Sequence, residues 1–209
     1  MTAALDALAS GAASILDRPL EAAELESFDK YLKLLRKWQR AQRLLGSTDE
    51  RWIVENVFLD SLLFLRVLPR RFHSLADVGS GAGLPGIPIK ILNRGVQLAL
   101  IESRAKRASF LSAAVRDLGL ENVEVVIDRV ERYAERAPGA FDAVVMRCAG
   151  DFSNLARAAA PLVAPGGCVV ASGPPVPRPL SIGAWLDVPG VRPGGTRRFA
   201  VFHPGDVVL

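Results

Sequence analysis

From residue 74 onward, short apolar runs alternate with amphipathic stretches of helical length, and this alternation narrows the possible folds more than any other feature. Strands are predicted at 74–79 (Ser-Leu-Ala-Asp-Val-Gly), 96–102, 123–128, 141–148 and 167–172, and helices between them at 84–94, 104–118, 130–137 and 152–163. Strands that alternate with helices of about 10–15 residues imply βαβ units, hence a parallel sheet with helices on both faces. The Pro- and Gly-rich tail, 173 to 209, adds one good strand, Arg197 to His203, and a weaker one near Ala184 to Val188. The expected architecture is an open, mostly parallel, seven-stranded α/β sheet.

Residues 1 to 72 carry no strand pattern and read as helices at roughly 3–16, 21–45 and 49–66. They are expected to form a helical N-terminal cap, part of the same domain as a core spanning 73–209. In the second helix Phe28, Tyr31, Leu35 and Trp38 recur at helical spacing and form an apolar face. Lys30, Lys33, Lys37 and Arg40 recur at the same spacing on a separate, basic face. Gly46 is the expected stop of that helix and Asp49 the expected cap of the next.

Composition removes several classes. Half of the 209 residues are apolar, which excludes disordered and collagen-like chains. Asp60 interrupts the longest apolar run, so no stretch approaches the ~18 residues of a membrane helix. The first residues include Asp6 and Asp17 without a basic start, so no secretory signal is expected. Cys148 and Cys168 form neither a disulfide framework nor a metal-ligand spacing, and both sit in apolar segments. No metal is expected, and a reducing cytoplasm is the expected location. The net charge of +4 is modest, but residues 29 to 45 hold six basic residues against one acid, Asp29.

The sequence Asp77-Val-Gly-Ser-Gly-Ala-Gly-Leu84 falls where the first strand ends and a helix begins. Glycines there permit a sharp turn and a close approach of ligand to backbone, and a helix N-terminus points free amides at the same place. In an open α/β sheet this is the ligand crevice. Glu102, at the end of the second strand, can accept hydrogen bonds from a ribose diol. Two ligand classes fit. A dinucleotide expects G-x-G-x-x-G, which Gly81, Gly83 and Gly86 match literally, but late relative to the strand end and with Pro85 inside. S-adenosylmethionine enzymes use a compact G-x-G-x-G loop preceded by an acid, matched by Asp77, Gly79, Gly81 and Gly83. The second match is the better one.

The longer string Asp77-Val-Gly-Ser-Gly-Ala-Gly-Leu-Pro-Gly-Ile-Pro88 resembles the signature of the small-subunit (16S) ribosomal RNA guanine-N7 methyltransferase family, the glucose-inhibited division protein B family. Similar pieces are Lys37-Trp38, Leu59-Asp60-Ser61-Leu62, Glu102-Ser103 with Lys106-Arg107 and Phe110-Leu111, Arg129-Val130-Glu131, Arg147, and the last strand around Arg197. The likeness covers residues ~25 to 172, and the tail weakly. It implies a Rossmann-like methyltransferase sheet, S-adenosyl-L-methionine as methyl donor, and small-subunit ribosomal RNA or the small ribosomal subunit as partner. It implies donor contacts at Gly79, Leu84, Glu102, Val130, Glu131 and Arg147, with Arg147 also the candidate catalytic residue. Asp77, Gly81 and Gly83 complete the donor loop. Lys33, Lys37, Arg40, Arg43 and Arg197 are the candidates for holding RNA. The protein is expected to act as a monomer, away from membranes.

The chain departs from the family pattern on the acceptor side. Arg43-Leu44-Leu45 replaces Asn-Leu-Thr, Asn56-Val57 replaces Arg-His, Met146 replaces a Ser, and Ala171-Ser172-Gly173-Pro174 lacks the usual lysine. Guanine N7 is a free lone pair that attacks a sulfonium methyl without first losing a proton. The absence of an acid–base constellation therefore fits this reaction. Two alternatives stay open: a relative that binds donor or RNA without this activity or with another acceptor, and a dinucleotide oxidoreductase. His73 and His203 are expected at the surface or in packing. Cys148 is expected as a small buried hydrophobe.

Overall fold

The computed structural model describes residues 2–147, 151–174, 178–192 and 194–206. Cys148 lies outside them. The first helix, α1, is Ala3–Leu16, capped by the Thr2 hydroxyl, which accepts from the Leu5 amide. The second, α2, is Ala22–Gln42, opened by a capping box between Glu21 and Glu24. It stops at Gln42, four residues before the expected glycine, and the next residue, Arg43, turns left-handed with φ 47°. A side chain ends the helix there: the Gln39 amide brackets Leu45, donating to its carbonyl at 2.6 Å and accepting from its N–H at 2.7 Å.

Asp49 caps the following helix as expected, accepting the Trp52 amide at 2.7 Å. The single helix predicted over 49–66 is instead a relay. It runs through α3 (Glu50–Ile53), a π-helical turn (Val54–Phe58), α4 (Leu59–Leu62) and a 3₁₀ turn (Leu63–Arg66). The widened turn keeps Ile53, Val54, Val57, Phe58 and Leu62 all buried. π turns of this kind recur at functional sites.

All seven strands form: β1 (Ser74–Val78), β2 (Gln97–Ile101), β3 (Val123–Val126), β4 (Phe141–Arg147), β5 (Val163–Ser172), β6 (Ala184–Pro189) and β7 (Thr196–Phe202). Their order is β3-β2-β1-β4-β5-β7-β6. β1 to β5 run parallel, and β7 runs antiparallel to both of its neighbours. The helices between strands are α5 (Gly86–Leu92), α6 (Ala105–Leu118), α7 (Val130–Arg136) and α8 (Phe152–Ala159). The predicted helix over 152–163 divides because Pro161 ends it in a 3₁₀ turn. β5 then begins at Val163, earlier than expected.

Alternate residues of the strands feed two cores. Ala143, Val145 and Val170 join α1, α2, α5 and α6 on one face, and Val144, Met146 and Val169 join α7 and α8 on the other. Phe64, after α4, packs edge-on against Phe199 of β7 at 4.8 Å. The N-terminal helices thus supply much of one layer over the sheet. His73 precedes β1, and His203 follows β7 with its ring nitrogen 3.2 Å from Gly167 O. Both lie at the end of the sheet opposite the glycine loop. No helix among the described residues is long and apolar enough to cross a membrane.

Candidate functional site

The glycine loop leaves β1 at its carboxyl end and is sewn onto β2. The amides of Gly79 and Ser80 both donate to Ile101 O, at 2.9 and 3.1 Å. The Gly81 amide donates to the Glu102 carboxylate at 3.0 Å. The amides of Gly83 and Leu84 donate to Ser80 O, at 2.7 and 3.0 Å. The Ser80 hydroxyl ties back to Asp77 O at 2.7 Å. The sequence leads one to expect free amides at this turn, yet these five are already engaged inside the protein. An anion arriving here would meet carboxylates and satisfied donors in place of the open amide nest that phosphate requires.

Gly79, Gly81 and Gly83 all take positive φ, at 70°, 57° and 82°. Gly83 also has no space for a side chain: a Cβ there would stand 2.4 Å from Ile87 and 3.1 Å from the Tyr31 hydroxyl. A Cβ on Gly79 would meet nothing within 4 Å, so its backbone borders open space. Gly86 lets α5 close on β1: a Cβ there would stand 2.8 Å from the Asp77 carboxylate.

Two acids support the loop from below. Asp77 is fully buried and accepts the Gly86 amide on Oδ2 at 2.9 Å, while Oδ1 has no hydrogen-bond partner. Burial pushes its carboxyl up to about 7, and the nearby charge of Glu102 acts in the same direction. Glu102 is also buried. Besides Gly81 it accepts the Arg104 amide at 2.9 Å, and the Arg107 guanidinium stands 3.9 Å away. Leu84 is buried at the far end of the loop. Val130 and Glu131 open α7 beyond β3, the first buried and the second exposed.

Tyr31 is the residue that periodicity misses. It falls on the apolar stripe of α2 as expected, stacked on Phe58 with ring centres 5.3 Å apart. Its hydroxyl, however, crosses to the glycine loop and donates to the carbonyl of Ala82. Burial holds this phenol well above its ordinary pKa. One face of α2 thereby props the loop from within.

At the other end of the crevice, Arg147 closes β4. It donates to Asn56 O at 2.6 Å and stands 3.6 Å from Asp60. Arg197 of β7 pairs with the same carboxylate at 2.7 Å and donates to Gly173 O at 2.8 Å. Asp60 is therefore a hub that joins the N-terminal relay to β4, β5 and β7. In the sequence it stands out only as the break in an apolar run. Arg197 is drawn into this hub, apart from the basic face of α2. On that face Lys37, Arg40 and Arg43 are exposed, and Lys33 is paired with Asp29 at 2.6 Å. Trp38 packs edge-on against Phe110 of α6 at 5.7 Å, bringing the basic end of α2 beside Arg104 and Lys106 at the start of α6.

An open sheet with its last strand turned antiparallel beside β5, and a glycine loop held by carboxylates at the ends of β1 and β2, is the architecture of the Rossmann-like methyltransferases. A solved structure of a protein from Corynebacterium glutamicum shares the fold, with TM-score 0.52 and 18% identity over 82% of this chain and 88% of that one. Residues 24–172 match the family model described as rRNA small subunit methyltransferase G, and the chain belongs to that family. The ribosomal RNA small subunit methyltransferase G of Polynucleobacter asymbioticus is 38% identical over 160 residues, 73% of this chain and 69% of that protein. The protein of the same name from Nitrosococcus oceani is 36% identical over 157 residues, 75% and 72% of the two chains.

Proposed function

We propose that this chain transfers the methyl group of S-adenosyl-L-methionine to N7 of a guanine in small-subunit ribosomal RNA. The observation that carries the donor assignment is the state of the loop amides. A dinucleotide needs unpaired N–H groups to hold its pyrophosphate. Here those groups are bonded to Ile101, Ser80 and Glu102. A sulfonium donor brings no phosphate, so amides already engaged inside the protein do not oppose it. The oxidoreductase alternative loses its main support on this ground.

In this reading Asp77, Gly79, Gly81, Gly83 and Leu84 shape the donor loop, with Asp77 acting from beneath. Glu102 retains lone pairs for the ribose hydroxyls after accepting its two amides. Val130 and Glu131 line the adenine side, and Arg147 closes the site. Residues 1–72 and 73–209 work as one domain, because one core joins them. A donor held by these residues would supply an activated methyl, which the free lone pair of guanine N7 could take without first losing a proton. No proton moves, so the residues need only align donor and acceptor, an effect worth up to about 7–11 kcal/mol.

Two departures from the family pattern leave the framework around Arg147 in place. Val57 is buried in the core, among the residues of the relay. Asn56 serves Arg147 through its main-chain carbonyl, a contact that any residue supplies.

The test is a calorimetric comparison of S-adenosylmethionine with a nicotinamide dinucleotide. The methyl donor should bind and the dinucleotide should not. Dinucleotide binding tighter than donor binding overturns the assignment.

A further inference from the structure

We propose that Trp52 is a stacking platform for an unpaired base of the RNA substrate, a deepening that rests on the function proposed above. Among the described residues only three large apolar side chains are exposed, and Trp52 is the one aromatic among them, with 39% of its surface in solvent. Its place in the relay ties it to the site. The Asn56 side chain donates to the Trp52 carbonyl at 3.0 Å, and the Asn56 carbonyl holds Arg147 at 2.6 Å. Trp52 thus lies four residues, about one turn, before the carbonyl that anchors the crevice arginine.

The chemistry around the ring fits a nucleic-acid strand. Arg51, next to Trp52 in the chain, and Arg192 are the two cations on Glu55, three residues further on, at 2.8 and 3.9 Å. Both are largely exposed, with 72% and 83% of their side chains in solvent, so each has donors left for phosphate. The ring edge lies 3.9 Å from where a Gly46 side chain would begin, against the turn that carries the basic end of α2 to α3. An exposed aromatic face among arginines is how single strands are held: bases stack with little regard to sequence, and the cations track the backbone.

The experiment measures binding of the full chain to small-subunit ribosomal RNA and to a single-stranded oligoadenylate, across a salt series. Trp52→Ala should weaken both by about 5- to 150-fold at fixed salt. The slope against log salt should stay unchanged, because stacking releases no counterions. Trp52→Phe should keep most of the affinity, and Trp52→Leu should lose it. The Leu variant covers the Gly46 turn without a π-face, so a merely structural ring would leave Phe and Leu alike. Wild-type affinity in Trp52→Ala, equal affinities for Phe and Leu, or a reduced salt slope overturns the platform. Wild-type protein that binds neither RNA overturns the proposed function beneath it.

Discussion

Tyr31 shows how one hydroxyl can link a helix to a ligand loop. Removing it in Tyr31→Phe keeps the ring stacked on Phe58 and strips the Ala82 carbonyl of its donor. A buried acceptor left unpaired costs about 1–3 kcal/mol. Because the loss falls on the loop, KM for the methyl donor should rise several-fold while kcat changes little. Equal kinetic constants would show that the loop holds its shape without the prop. Gly81→Val should abolish donor binding for a different reason. The nearest atoms to a Cβ there are 3.6 and 3.7 Å away, so space is adequate, but φ is +57° and a β-branched residue resists that conformation. Titration calorimetry that finds normal affinity would refute this. Asp77 sets a pH dependence. Its folded carboxyl sits at about 7 against 3.8 when free, so between those values the native state binds more protons than the unfolded chain. Stability therefore falls as pH rises from 3.8 to about 7, by at most ~1.4 kcal/mol per pH unit, and levels off above. Asp77→Asn should flatten this slope in denaturant melts; an unaltered profile would place the titration elsewhere.

At the scale of elements, α2 has two working faces. The inner one carries Tyr31, and the outer one carries Lys37, Arg40 and Arg43. Reversing Lys33, Lys37 and Arg40 to Glu should lower the salt slope of RNA binding by roughly 0.7 for each phosphate that is no longer neutralised. Lys33 should contribute least, because Asp29 already holds it. An unchanged slope would remove this helix from the interface. The outer face is legible from spacing alone, as are the strands β1 to β4, the position of the glycine loop and the Asp49 cap. These are local signals: period, turn residues and caps lie within a few positions of one another. What the sequence hides is non-local. The Tyr31 hydroxyl reaches a carbonyl 51 residues away, Arg147 reaches back 91 residues to Asn56, and Arg197 reaches back 137 to Asp60. The end of α2 is hidden because a glutamine side chain, which has no turn propensity, takes the role expected of Gly46. The π turn in the relay is hidden because an amphipathic stripe looks alike with one residue more per turn.

For the whole molecule, the N-terminal helices and the sheet share one core, and both ends of the crevice depend on the helices. Tyr31 props the glycine loop, and Asp60 with Asn56 holds Arg147. On the function proposed above, this joins the RNA-facing layer directly to the donor site, so damage to the relay should be felt in methyl transfer as well as in stability. The reaction itself is read out by transfer of labelled methyl from S-adenosylmethionine to small ribosomal subunits taken from a strain lacking this gene. Label should appear in the RNA and map to N7 of a guanine. Protein that binds the donor yet leaves the RNA unlabelled, or labels it at another atom, would refute guanine-N7 transfer as the function of this fold.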